Sequence, residues 1–109
     1  MSDEFTLRLH GENSASAFIQ LLGESEFCAN KSEKAISLKD KKIKSAGRYD
    51  IGVQKISNSD LFLDRLFYSK DLYDLFKKTI GGRPYIIIDD IDENISLEEM
   101  FGINKMQEK

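Results

Sequence analysis

Two segments of the chain alternate apolar with polar side chains, which is the pattern of a strand with one buried face. The first covers residues 5–10, whose odd-numbered positions are apolar. The second covers residues 49–54 and is followed by a Ser-Asn-Ser sequence typical of a turn. A short apolar stretch at 35–38 predicts a further strand, which we expect to pair with the second segment as a hairpin.

Apolar residues at helical spacing predict a helix over residues 13–23 and a longer helical segment over 60–80. The longer segment carries most of the aromatic side chains of the predicted core. Because Ser69 and the residues after it form a helix-start signal, one long helix and two shorter helices both agree with the pattern. A last short helix begins at Ser96, which has the S-x-x-E spacing of a capping box.

Residues 85–88 form a continuous apolar sequence, Tyr-Ile-Ile-Ile, so we expect a strand inside the sheet that is covered on both faces. The resulting order is strand, helix, strand, strand, helix, strand, followed by a short terminal helix. This βαββαβ order predicts an α+β fold of two layers, with both helices on one face of the sheet. A ferredoxin-like sandwich is its simplest match.

A thioredoxin-like α/β fold is the alternative. Residues 72–103 resemble the second half of a glutaredoxin, because a helix, Pro84, an apolar strand and a terminal helix follow one another. A cis peptide bond before Pro84 would favour this alternative. Residues 10–15, which follow the first strand, contain no cysteine, so the resemblance implies a thioredoxin-like domain without redox activity.

A length of 109 residues predicts a single domain over 1–109, with residues 1–4 and 104–109 as flexible tails. Hydrophobic residues make up 40% of the chain and charged residues 32%, which suits a packed core with a polar surface. No apolar stretch approaches the roughly 18 residues of a membrane span. The acidic start and the single cysteine argue against export and disulfide bonding, so we expect a cytoplasmic protein.

Candidate catalytic and metal-binding residues are few. His10 is the only histidine, which excludes any site that needs two imidazoles. Cys28 follows acidic residues, whose charge disfavours the thiolate. The acidic segment 89–94 departs from the calcium loop at Ile95 and Phe101, the positions that require Gly and Glu. We therefore expect a protein that is not an enzyme and that needs no metal and no cofactor.

Charge is segregated along the chain, although the net charge is only −3. Residues 31–48 sum to +5 and residues 89–109 to −5. Because complementary patches speed encounter and select partners, we expect a small protein-binding module, such as an inhibitor, immunity-type or adaptor protein. The predicted contact residues are four carboxylates and four lysines: Asp89, Asp90, Asp92, Glu93, Lys39, Lys41, Lys42 and Lys44.

Two alternatives stay open for the partner. The lysines of residues 31–48 would meet phosphates in a nucleic-acid-binding domain, although this stretch holds a single arginine for base readout and no aromatic residue before Tyr49 for stacking. Self-association through an unpaired strand edge would make a homo-oligomer. A protein partner is favoured over nucleic acid, since the whole chain is acidic.

Overall fold

The computed structural model describes residues 3–42 and 47–103 of the chain. The elements follow one another as β1 (Asp3–Leu9), α1 (Ser14–Gly23), β2 (Cys28–Lys31), β3 (Ala35–Leu38), β4 (Ile51–Lys55), β5 (Asp60–Arg65), α2 (Lys70–Ile80), β6 (Tyr85–Asp89), β7 (Asn94–Ile95) and α3 (Leu97–Met100). The strands form one sheet in the order β2-β3-β4-β5-β1-β6-β7, and every neighbouring pair is antiparallel.

The three helices pack on one face of this sheet, where the core lies. Phe18 of α1 meets Phe76 of α2 edge to face at 5.5 Å between ring centroids, and Phe76 meets Phe101 at 5.1 Å. Odd-numbered side chains of β1 and β5, including Leu7 and Leu63, are buried beneath these rings. This chain of aromatic contacts joins the helical layer from its first helix to its last.

The predicted α+β class is confirmed, as is the hairpin, in which Ile36 pairs with Val53. The ferredoxin-like order is not confirmed, because the sheet has seven strands rather than four. Sequence patterns did not indicate β2 or β7, which lie at the two edges of the sheet and bury few apolar side chains. None of the described helices has the length and apolar character needed to cross a membrane.

The prediction of a helical segment over 60–80 is wrong in its first part. Residues Asp60–Arg65 form β5, whose odd-numbered side chains point into the core. A turn through Ser57 joins β4 to β5, with the Ser57 hydroxyl accepting the Asp60 N–H at 3.0 Å. The helix begins only after Ser69, whose hydroxyl caps it by accepting the Leu72 N–H at 3.1 Å.

The prediction that residues 85–88 are covered on both faces is also wrong. Tyr85 is 37% exposed and Ile86 is 44% exposed. The outer neighbour, β7, pairs only with Ile87 and Ile88, so the first half of β6 lies at an open edge. Because all described helices lie on the other side, the even-numbered side chains of β6 have no second layer above them.

The chain ends and Pro84 give two further results. Strand β1 begins at Asp3, so Asp3 and Glu4 lie in the sheet rather than in the expected N-terminal tail. The expected C-terminal tail, 104–109, falls outside the described residues. The peptide bond before Pro84 is trans and the sheet is antiparallel throughout, so the structure does not support the thioredoxin-like alternative.

Candidate functional site

None of the described helices packs against one face of the sheet. This face consists of the even-numbered positions of β1, β4, β5 and β6 and the odd-numbered positions of β3, which point away from the buried side chains. We call this surface the open face. In an antiparallel sheet with one buried face, the side chains on the other face are usually polar. Here several of its positions are apolar, and this departure makes it the first candidate site.

The apolar side chains of the open face lie on the two sides of β1, whose own open-face positions, Glu4, Thr6 and Arg8, are polar. Phe62 and Ile88 are the register partners of Thr6 on its two sides, and both are half-buried. Ile86, one step along β6, is 44% exposed. Ile56 continues the even positions of β4 into the turn and is 55% exposed. The face therefore exposes branched and aromatic side chains on both sides of a polar strand, β1.

Charged groups are fixed among these apolar side chains. The Arg8 guanidinium donates from Nε to Oδ1 of Asp60 at 3.0 Å. The Tyr49 hydroxyl donates to Oδ2 of Asp64 at 2.6 Å, and this bond, together with burial, raises the pKa of Tyr49. Glycine at position 52 makes room for that carboxylate, because a Cβ there would overlap it. With Glu4, the strand positions of the face carry three carboxylates and one guanidinium.

A concavity of about 280 Å³ lies at one end of β1, between the sheet and the segment around α3. Its carboxylates come from β1, from the end of β6 and from the segment around α3: Asp3, Glu4, Asp89, Asp90 and Glu99. We call it the acidic concavity. Most of its lining, including Phe5 and Arg65, belongs to the helical side of the sheet, opposite the open face, and Glu4 lies at the end of β1 between the two.

Arg65 supplies an internal counter-charge to the acidic concavity. Its side chain is 7% exposed and lies over the Tyr68 ring at 4.3 Å from the centroid. The guanidinium donates to the Asp3 carboxylate and to the Met100 carbonyl. Arg65 is therefore held by the sheet and by α3 together, and it neutralises one of the five carboxylates.

The structure separates the four predicted acidic contacts. Asp89 and Asp90 line the acidic concavity. Oδ1 of Asp89 also accepts the backbone N–H groups of Ile91 and Glu93, at 3.1 and 2.9 Å, and so closes the turn into β7. Asp92, with φ of 62°, and Glu93 are exposed in that turn and do not line the concavity. Across residues 3–42 and 47–103, no group of three acidic, histidine or cysteine side chains could hold a metal ion.

The four predicted basic contacts are more dispersed. Lys39 is half-buried, and its Nζ donates to the Gly47 carbonyl at 3.0 Å and lies 3.6 Å from Oδ1 of Asp50. Lys42 forms an ion pair with Asp71 at 3.1 Å, which raises the pKa of the lysine. Lys41 is exposed, and Lys44 lies outside the described residues.

Sequence reasoning did not identify Asp3, Glu4, Arg65 or Glu99 as members of a site. No local motif links them, since the acidic concavity forms only because β1 lies beside β6 and α3 packs near the end of both. The sequence shows the even-numbered apolar residues of β5 and β6, but their pattern predicts a helix for β5 and a strand covered on both faces for β6.

Comparison with known proteins gives no further guide to these surfaces. No protein-family model, no curated protein and no solved structure matches the chain. The function is therefore inferred from the geometry of the open face and the acidic concavity.

Proposed function

We propose that the chain is a non-enzymatic protein-binding module whose partner docks on the open face. The observation that carries this proposal is that, in residues 3–42 and 47–103, no helix covers one face of the seven-stranded sheet and that this face exposes apolar side chains. Ile56 and Ile86 are about half exposed, and Phe62 and Ile88 flank Thr6 in the next row of the same face. Several exposed apolar side chains on one face of a small domain are typical of a binding site.

The partner is a different protein rather than a second copy of this chain. The strand positions of the open face hold Glu4, Asp60 and Asp64 against a single cation, Arg8. Two copies docked face to face would bring this excess of like charge together, which opposes association. A cytoplasmic inhibitor, immunity-type or adaptor role belongs to the same proposal.

The two predicted charged segments have unequal parts in this proposal. Asp89 and Asp90 line the acidic concavity at the end of the sheet, where their charge acts on a partner before contact. Lys39 and Lys42 each have a carboxylate neighbour within the chain, at 3.6 and 3.1 Å. The nucleic-acid alternative is therefore the weaker of the two, since two of its four lysines already have a carboxylate neighbour within the chain.

The proposal extends to the fold of the core. Helix α2 connects β5 to β6, and β1 lies between these two strands in the sheet. Helix α1 lies in the connection from β1 to β4, and β5 lies between those two strands. Two interleaved split βαβ units of this kind support a ferredoxin-like core. In that interpretation β2 and β3 are an insertion after α1, and β7 is an addition at the far edge.

Site-specific photo-cross-linking in cells that produce the protein tests the docking surface. A photoreactive amino acid at Gln54 reports on the open face, and the same group at Gln20 on α1 reports on the opposite side; both positions are exposed. We expect a protein cross-linked through Gln54 and not through Gln20. Equal yields at the two positions, or none at either, would contradict the proposal.

Binding of the identified protein, once purified, then tests the apolar contact. Ile86→Ser removes an apolar side chain from the open face, and Leu21→Ser removes one of similar exposure, 47% against 44%, from the helical layer. We expect the first variant to weaken binding at least about tenfold, a loss typical of an interface hot spot, and the second to bind like the parent. If the parent sediments as a dimer that Ile86→Ser dissociates, the occupant is a second copy instead.

A further inference from the structure

We infer that the partner inserts one aromatic side chain into a slot of the open face, at the place where β1 ends and β6 begins. The slot is a concavity of about 190 Å³. The described residues that line it all belong to these two strands or lie next to them: Arg8, Leu9, His10, Pro84, Tyr85 and Ile86. This inference rests on the proposed function and names the chemical group by which the partner is recognised.

The pairing of the two strands gives the slot two walls and a floor. Arg8 and Ile86 are register partners at even positions, so their side chains stand together on the open face as one wall. His10 and Pro84 lie two residues away along the two chains and form the other wall. The register pair between the walls points toward the helical layer by strand parity, so its backbone forms the floor.

The spacing of the walls fits one planar ring. Alternate residues of a strand are about 6.6 Å apart, because each residue adds about 3.3 Å. A ring that contacts both walls at the ordinary carbon–carbon distance of about 3.5 Å needs nearly the same width, about 7 Å. The volume of about 190 Å³ also suits a single ring, because it is smaller than the roughly 300–1,000 Å³ of pockets that enclose whole small molecules.

The chemistry of the walls favours an aromatic ring over an anion. Oδ1 of Asp60 accepts from Nε of Arg8 at 3.0 Å, so a carboxylate already occupies one edge of the guanidinium and offsets its charge. A guanidinium bound at its edge keeps its planar face for stacking on an aromatic ring. The Arg8 side chain is 52% exposed and is therefore accessible to a docked ring. Ile86 and Pro84 add one apolar contact on each wall.

A ring in this slot is expected to anchor the complex. Aromatic side chains that fill a pocket carry much of the binding energy in many interfaces. Because Asp60 already holds the Arg8 side chain, less side-chain entropy is lost when the ring docks. We therefore expect the contact surface of the partner to contain a Tyr, Phe or Trp that an aliphatic residue does not replace.

Small probes test the slot without knowledge of the natural partner. The probe p-cresol reproduces the tyrosine side chain, 4-methylcyclohexanol has a similar size and hydroxyl group but no aromatic ring, and acetate presents a carboxylate alone. Each is titrated into the ¹⁵N,¹³C-labelled full-length chain. We expect p-cresol to shift the amides of Arg8, His10 and Ile86 and, through its ring current, the Ile86 methyl groups. The saturated probe should bind about two- to fivefold more weakly, and acetate should leave these signals unchanged.

Variants of the chain assign the contact to Arg8. Arg8→Gln removes the guanidinium and should weaken p-cresol about two- to fivefold while it leaves 4-methylcyclohexanol unchanged. The loss of an exposed ion pair costs little stability, so this variant should stay folded. The control, Lys78→Gln, removes the same charge at an exposed position of α2 outside the slot and should bind both probes like the parent. Equal binding of p-cresol and 4-methylcyclohexanol, preference for acetate, or shifts away from the slot would overturn the inference.

The natural partner, once captured through Gln54, separates this inference from the proposed function. Arg8→Gln and the replacement of one partner Tyr, Phe or Trp by Leu should each weaken binding, and the two together should cost less free energy than the sum. If the losses add fully for every aromatic residue of the partner's contact surface, the docking surface stands and the aromatic anchor is wrong. If p-cresol binds but Gln54 captures no partner, the slot takes a free aromatic molecule, and both proposals fail.

Discussion

Replacing Asp50 with Ala should destabilise the fold more than any surface charge change, although Asp50 lies in neither candidate binding surface. The Asp50 side chain is completely buried. Its Oδ2 accepts the Asp40 N–H at 2.7 Å, and its Oδ1 lies 3.6 Å from the ammonium of Lys39. The neighbouring carboxylate of Asp40 accepts the Ser69 hydroxyl at 2.7 Å, and that hydroxyl caps α2. Asp50 therefore links the loop after β3 to the start of a core helix.

The expected magnitude follows from what the substitution leaves unpaired. A buried N–H that loses its acceptor costs about 1–3 kcal/mol. Removal of one member of a buried ion pair costs about 3–5 kcal/mol, of which part is recovered here because Lys39 is one-fifth exposed and keeps the Gly47 carbonyl. We expect Asp50→Ala to lower the free energy of unfolding by about 3 kcal/mol, a large fraction of the roughly 5–15 kcal/mol of a small domain.

Urea unfolding measures this loss. The chain has no tryptophan, so far-ultraviolet circular dichroism and tyrosine fluorescence are the suitable probes. Asp74→Ala is the matched control, because Asp74 forms an exposed i,i+4 ion pair with Lys70 at 3.3 Å and should lose less than about 0.5 kcal/mol. If Asp50→Ala lies within about 1 kcal/mol of this control, the buried network does not stabilise the fold as argued.

Two further predictions concern the helical layer. Gly102 has φ of 63° and a Cβ there would overlap the Tyr68 ring, so Gly102→Ala should cost at least about 2 kcal/mol, whereas Gly82→Ala, with open space around it, should be nearly neutral in the same urea experiment. The Tyr73 hydroxyl donates to the Glu98 carboxylate, which raises the pKa of Tyr73 to about 12 and lowers that of Glu98. Because the pKa of Tyr73 is raised in the folded chain, the stability that Tyr73 contributes is complete below pH about 10 and is lost as pH rises towards 12. Because the pKa of Glu98 is lowered, the stability that Glu98 contributes is lost as pH falls below the ordinary range of a carboxyl. Tyr73→Phe should therefore destabilise the chain by about 1–2 kcal/mol at neutral pH and remove this part of the alkaline loss; an unchanged alkaline transition would contradict the assignment.

Local patterns in the sequence predicted the elements whose signals are short-range. The S-x-x-E spacing at Ser96 forms the expected capping box, in which the Ser96 hydroxyl accepts the Glu99 N–H at 3.0 Å. The hairpin of β3 and β4 likewise follows from alternation within a few residues. The sequence did not predict strand β5, because Phe62 interrupts the alternation of Leu61 and Leu63. The resulting apolar sequence precedes helix α2 closely, so one helical segment was predicted for both.

The acidic concavity could not be predicted from the sequence, because its members meet only through long-range pairing. Asp3 and Asp89 are far apart in the chain, yet Phe5 and Asp89 are register partners of β1 and β6. Arg65 reaches the same place because its strand lies on the other side of β1. The sequence did indicate two of the carboxylates, Asp89 and Asp90, since the charge of residues 89–109 is visible without the fold.

The open face shows that the burial of a strand side chain depends on what covers the sheet and not on the local sequence alone. A run of apolar residues at 85–88 implies burial on both faces only if a second layer covers the sheet, and here no described helix does so. Solubility alone favours polar residues at exposed strand positions. The apolar side chains on β5, on β6 and just after β4 are therefore better explained by a docked partner than by the needs of the core. Because Ile86 is nearly half exposed, Ile86→Ser should change the free energy of unfolding little while it weakens binding, and this separation of the two effects distinguishes an interface from a core position.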